Sequence, residues 1–213
     1  MTAHRWEISA RIADEKVLAV IRSAGPAEAV QVGRALVDGG IRVLEVAFTT
    51  PGAPEAIATL SGELGESCLV GAGTVLDESS AGAAIRAGAR FLVSPNVALD
   101  VIRTAGRHGI PALPGAASIT EIVTALEAGV DMVKLFPASV LGIDYLKAIL
   151  PVLPSVALLP TGGVNLETAP RWLAAGAVAV GVGGSLTRGE LATVSARAAE
   201  IVKAVRPPAS ERG

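Results

Sequence analysis

The sequence predicts an α/β protein folded as a (β/α)8 barrel with a short helix in front of it. Three observations predict this. First, glycine stands at the entry to one short apolar run after another, at Gly40, Gly88, Gly109, Gly129 and Gly176. Gly88, Gly109 and Gly129 are about 20 residues apart; the gaps Gly40–Gly88 and Gly129–Gly176 are about twice that, and each encloses one further apolar run. Second, the runs are apolar almost throughout rather than alternating, as parallel strands covered on both faces are. Third, the chain has 213 residues, 51% of them hydrophobic and 18% charged. That suits a single α/β domain, since barrels of this kind use about 200–250 residues. An open doubly wound sheet is the alternative; the even spacing favours the barrel.

Taken in order, Trp6, Ile8 and Ile12 recur at helical spacing between His4 and Asp14 and predict a short amphipathic helix. Val17–Ile21 reads as the first strand, ending in the charge of Arg22. Pro26 opens a helix that runs to about Val37, Pro being favoured in a first turn. The later strands are expected at Ile41–Val46, Cys68–Ala72, Phe91–Ser94, Ile110–Leu113, Val130–Leu135, Val156–Leu159 and Val178–Val182, each followed by a helical stretch. Glycine at each entry is the residue that ends the preceding helix in a left-handed conformation. The last helix is expected from about Glu190 to Val205. One domain therefore covers residues 1–206, and residues 207–213, rich in Pro and charge, read as a flexible tail.

Several classes are disfavoured. Net charge is −2 at pH 7, with no basic block suited to nucleic acid. The N-terminal residues lack the apolar core of a signal peptide, and no apolar run is long enough to cross a membrane. The single cysteine, Cys68, excludes an internal disulfide, reads as a core strand residue and points to a reducing, cytoplasmic setting. With two histidines, His4 and His108, and one cysteine, no metal-ligand spacing is present. His108 precedes Gly109 and reads as a helix-end residue.

Chemistry in such barrels sits at the carboxyl ends of the strands. There the sequence places Arg22, Glu45, Thr74, Pro95, Lys134, Thr161-Gly162-Gly163 and Gly184-Ser185. The glycine turns after the last two strands suit a phosphate, because a backbone without side chains lets N–H groups approach an anion, and a following helix start adds its dipole. Arg42 and Asp131 stand near strand starts, whereas Lys134 and Glu45 are the charges within otherwise apolar strand cores. Two readings stand: a buried structural ion pair, or a desolvated amine nucleophile beside a carboxylate that moves protons. Arg22 is either a solvated strand end or a clamp on an anionic substrate.

Leu44-Glu45-Val46, Gly71-Ala72-Gly73-Thr74-Val75, Ser94-Pro95, Ile110-Pro111 through Pro114-Gly115, Val133-Lys134-Leu135-Phe136-Pro137-Ala138, Pro160-Thr161-Gly162-Gly163 and Gly183-Gly184-Ser185 resemble, in this order, the 2-keto-3-deoxy-6-phosphogluconate (KDPG) / 4-hydroxy-2-oxoglutarate (KHG) aldolase family. The resemblance implies a trimeric (β/α)8 class I aldolase with no metal or organic cofactor, yielding pyruvate and glyceraldehyde 3-phosphate from a phosphorylated keto sugar acid. It implies Lys134 as the Schiff-base lysine and Glu45 as the general acid/base. Thr74 and Pro95 would shape the pyruvyl carboxylate pocket, Gly162, Gly163, Gly184 and Ser185 would receive the phosphate, and Arg22 would reach the substrate. Where some members carry an arginine just after the Glu strand, this chain has Thr49. That leaves open the carboxylate contacts and the choice between KDPG and its galactonate epimer. The rival readings are a phosphosugar isomerase, epimerase or thiamine-phosphate-synthase-like barrel, and a non-catalytic phosphate-binding barrel.

Overall fold

The computed structural model describes residues 4–206; the expected tail at residues 207–213 lies outside them. The first helix, α1 (Arg5–Glu15), precedes a regular succession of strands and helices. These are β1 (Val17–Ile21), α2 (Pro26–Asp38), β2 (Val43–Ala47), α3 (Ala53–Leu64), β3 (Leu69–Gly73), α4 (Glu78–Arg86), β4 (Leu92–Val93), α5 (Leu99–Arg107) and β5 (Ala112–Leu113). Then come β6 (Gly115–Ala116), α6 (Ile119–Glu127), β7 (Val133–Leu135), α7 (Ala138–Ile149), β8 (Leu158–Pro160), α8 (Ala169–Ala174), β9 (Val180–Val182), α9 (Gly184–Thr187) and α10 (Leu191–Val205).

All strand pairs are parallel, and they form two sheets: six strands in the order β5-β4-β3-β2-β1-β9, and three in the order β6-β7-β8. This corrects the expectation of eight strands in one unbroken ring. The fifth strand, expected at Ile110–Leu113, is confined to Ala112 and Leu113, and Pro114, which has no N–H to give to a ladder, separates it from a further short strand, β6, beyond the expected one. Ala112 and Leu113 pair with β4, whereas Gly115 and Ala116 pair with β7. Between β8 and β9 the pairing is reduced to one bridge, Thr161 to Gly181, and one bond from the Val178 N–H to the Leu158 carbonyl at 3.0 Å. Several strands also start later than their apolar runs. Val130 and Asp131 precede β7, because Asp131 is tied to α1 instead: its carboxylate accepts from Arg5 at 3.1 Å and from Ser9 at 2.9 Å.

The sheets curl, and side chains alternate between the two faces as strand geometry requires. Outward residues such as Ala19, Leu44, Val70, Leu92 and Val133 pack under the helices in the larger core. Inward residues, among them Leu18, Val43, Leu69, Phe91, Met132 and Leu159, form a second core that also takes in Ile8 and Ile12 of α1. Helix α1 therefore plugs the amino ends of the strands, which leaves the carboxyl ends as the open side. Both faces of each strand are buried, which is why the sequence shows runs rather than alternation. The inward phase matters for the site. Glu45 lies two residues beyond Val43 and Lys134 two beyond Met132, so both charges sit on the inner face, one layer above the apolar plug.

Candidate active site

Register brings the site residues to one level. Glu45 pairs opposite Val20 on β1 and Gly71 on β3; Lys134 pairs opposite Gly115 on β6 and Leu159 on β8. Glycine at two of these places makes room for neighbours: a Cβ on Gly71 would strike the Phe91 ring, and one on Gly115 the Pro95 backbone. At the next inward position on β3, Gly73 meets the Glu45 carboxylate so closely that a Cβ there would overlap it. Replacing Gly73 by Ala is expected to displace the carboxylate. Turnover should fall about 10²-fold or more, the scale on which a misplaced proton-transfer group acts, and the fold should lose about 1–3 kcal/mol, as overpacked cores do. Steady-state kinetics and thermal unfolding of the variant measure the two effects.

Lys134 is 5% exposed and Glu45 1% exposed. The Lys134 Nζ lies 5.0 Å from the centre of the Phe136 ring. The five ion pairs found among the described residues are at least partly exposed, and none joins Lys134 to Glu45. Burial raises the Glu45 carboxyl above its ordinary 4.5, against the opposing positive charges of Lys134 and Arg22, and its Oε1 is buried without a hydrogen-bond partner. A carboxyl in this state binds its proton more tightly than in water and has a free oxygen to hand it on.

A cavity of about 410 Å³ opens at the carboxyl ends of the strands. Arg22, Glu45, Thr74, Pro95, Lys134, Thr161, Gly162, Gly163, Gly184 and Ser185, the candidates read from the sequence, all line it. Phe136 lines it too and was not singled out; it belongs to the same motif as Lys134, and its phase, two residues on, was the available signal. Thr74 has φ +57°, a left-handed conformation rare for a threonine. Strain of this kind persists where the surroundings over-determine it, often at a ligand site. After β8, Gly162 and Gly163 have φ +90° and +85°, and a Cβ on Gly163 would strike Ser139. The Thr161 and Gly162 carbonyls accept from the Ala138 and Ser139 N–H groups at 2.8 Å, which pins this turn to the start of α7. After β9, the Ser185 hydroxyl donates to the Val164 carbonyl at 3.3 Å and ties the two glycine turns together.

Neither Cys68 nor His108 lines this cavity. Cys68 is buried, and burial pushes its thiol up to about 11. His108 closes α5, with its Nδ1 3.0 Å from the Thr104 carbonyl. Among the described residues no three His, Cys, Asp or Glu side chains are grouped to hold a metal ion, and no helix is long and apolar enough to cross a membrane.

The family described as KDPG and KHG aldolase matches residues 8–203. The chain belongs to the KDPG and KHG aldolase family. Curated relatives agree. It is 37% identical over 193 residues to the 2-dehydro-3-deoxy-6-phosphogalactonate aldolase of Escherichia coli (strain K12), covering 89% of this chain and 94% of that one. It is 39% identical over 197 residues to the 2-dehydro-3-deoxy-phosphogluconate aldolase of Treponema pallidum, covering 89% and 93%. Among solved structures, a KDPG aldolase from Legionella pneumophila, with pyruvate captured at low pH as a covalent carbinolamine intermediate, superposes with a TM-score of 0.79 at 34% identity. That match covers 91% of this chain and 94% of the other.

Proposed function

We propose that this member of the KDPG and KHG aldolase family cleaves 2-keto-3-deoxy-6-phosphogluconate to pyruvate and glyceraldehyde 3-phosphate through a Schiff base on Lys134. The observation that carries the reading is a buried lysine and a buried carboxyl on the inner face of one curl, lining the same cavity as two glycine turns. Neutral Lys134 attacks C2 of the keto acid to give a carbinolamine, and loss of water gives an iminium. That cation accepts the electron pair of the C3–C4 bond as it breaks. Glu45 takes the C4 hydroxyl proton, directly or through water, and the aldehyde leaves. The remaining enamine of pyruvate is protonated at C3, and hydrolysis frees the lysine. Thr74 and Pro95 bound the end of the cavity where the pyruvyl carboxylate would rest. Gly162, Gly163, Gly184 and Ser185, which line the cavity with Thr161, would receive the phosphate on their backbone N–H groups. No metal or organic cofactor enters these steps.

The closed (β/α)8 barrel belongs to the same reading. It is supported by β5 and β6, which Pro114 alone separates, and by the Thr161–Gly181 bridge, which links the two sheets between β8 and β9. A cytoplasmic homotrimer is the assembly we infer. Apolar side chains exposed near the starts of α4, α5, α6 and α7, at Leu76, Leu99, Ile119 and Val140, suit burial between copies. A second substrate reading, the galactonate epimer, is favoured by the name of the Escherichia coli relative, and Thr49 beside Arg22 leaves the epimer open; cleavage of 4-hydroxy-2-oxoglutarate to pyruvate and glyoxylate is compatible with the same lysine chemistry.

The test is intact mass after incubation with pyruvate and borohydride, followed by peptide mapping. One reduced pyruvyl group on Lys134 is expected. A folded sample without the adduct would move the assignment to an isomerase, epimerase or binding barrel. Relative kcat/KM for the gluconate and galactonate 6-phosphates then settles the epimer.

A further inference from the structure

Arg22 leaves β1 at the rim of the cavity with its side chain exposed, and among the described residues it belongs to no ion pair. A free arginine there would have rotamer entropy to lose on binding, about 2 kcal/mol when the side chain is fully free. It is not free. Its Nε donates to the Thr49 Oγ1 at 2.9 Å, and the buried hydroxyl of Thr50 accepts from the Ser23 N–H at 3.1 Å. Two consecutive threonines after β2 thus tie the segment after β1 at two points, one on the side chain and one on the backbone. The register explains the reach: Ile21 lies opposite Val46, so the chain leaves β1 alongside the end of β2. With Nε engaged by a neutral hydroxyl, Arg22 keeps its full charge and both Nη groups. That fork matches an oxyanion bidentately.

We propose that Thr49 is a positioning residue that presets the Arg22 guanidinium so that its two Nη groups receive an oxyanion of the substrate at the cavity rim. The inference rests on the aldolase reading for the identity of that substrate. Presetting lowers the ordering cost of binding without touching the reacting atoms. Thr49 therefore acts on KM and leaves bond cleavage to Lys134 and Glu45.

The test uses the full chain with the phosphorylated keto sugar acid. Thr49→Val keeps the shape and removes the hydroxyl; it is expected to raise KM about three- to tenfold, the effect of one lost hydrogen bond, with kcat close to that of the parent. Thr49→Ser, which restores an acceptor, should recover the parent KM. In an Arg22→Ala background the Thr49→Val change should add nothing further. Equal KM for the parent and Thr49→Val, or an undiminished Thr49→Val effect without Arg22, overturns the role of Thr49. The tie from Thr50 to Ser23 is untouched, so thermal unfolding of both Thr49 variants should match the parent. Repeating the series with the unphosphorylated sugar acid identifies the oxyanion: a KM rise that persists assigns it to the carboxylate, and one that vanishes assigns it to the phosphate. Failure of the parent protein to trap pyruvate with borohydride counts against the aldolase reading itself, whereas normal trapping with an unmoved KM counts against Thr49 alone.

Discussion

Replacing Lys134 by Ala is expected to remove both turnover and the borohydride-trapped pyruvate adduct, lowering kcat on the order of 10⁵-fold, the scale seen when a covalent nucleophile is deleted. That loss corresponds to about 7 kcal/mol of barrier. The argument is one of electron flow. Without an iminium there is nothing at C2 to accept the C3–C4 electron pair, and a carboxyl such as Glu45 cannot take that part. Lys134→Arg separates this from simple loss of charge. It keeps the cation, but a guanidinium does not deprotonate in proteins and so offers no neutral amine. It should be as inactive as Lys134→Ala. The fold should survive, because Lys134 makes no ion pair among the described residues, and the layer below it is apolar. Intact mass after trapping, together with circular dichroism of each variant, gives the decisive pair of readings. An adduct on Lys134→Ala would place the nucleophile elsewhere, the other lysines being Lys16, Lys147 and Lys203.

The position of Lys134 was legible because parallel strands covered on both faces are apolar almost throughout. One charge inside such a run stands out, and Glu45 stood out the same way. The glycine turns were legible because the backbone conformations they adopt, as at Gly162 and Gly163, favour glycine. What the sequence did not reveal depends on contacts across the fold. The break at Pro114 follows from which partner each half of the strand finds, and a proline in a linear sequence does not say whether its ladder is interrupted or merely ends. The packing of Gly73 against the Glu45 carboxylate joins residues far apart in the chain, and an identical glycine in a motif reads as a turn. Thr49 read as a missing arginine; that its hydroxyl holds Arg22 needed the register of β1 on β2. The anchoring of Asp131 to α1, which delays the start of β7, is another contact across more than half the chain.

Glu45→Gln is expected to split activity from stability. The amide keeps the shape but cannot shuttle the proton, so kcat should fall about 10²- to 10⁴-fold, the usual worth of general acid–base catalysis. Adduct formation on Lys134 should survive in part, because attack at C2 precedes the step that needs the C4 proton removed. Stability should move the other way. Burial raises the Glu45 carboxyl above 4.5 in the folded protein, while Lys134 and Arg22 pull it down without cancelling the effect. Below the ordinary carboxylate value, folded and unfolded chains both hold the proton and the buried carboxyl costs no ionisation. As pH rises through the raised folded value, the native state must either keep a proton that the unfolded chain has released or bury a charge, and stability is lost. Gln carries no such penalty. The variant should therefore unfold at a higher temperature than the parent near pH 8, and the difference should shrink as pH falls to about 4, below the ordinary carboxylate value. In the parent, the acid limb of kcat/KM should lie above 4.5, since the carboxylate form is the base; in Glu45→Gln that limb should disappear. Thermal unfolding across this range, beside the pH–rate profile, measures both halves. A Gln variant less stable than the parent at pH 8 would mean that Glu45 is ionised at rest and held by Lys134 and Arg22, already in the form that takes the C4 hydroxyl proton.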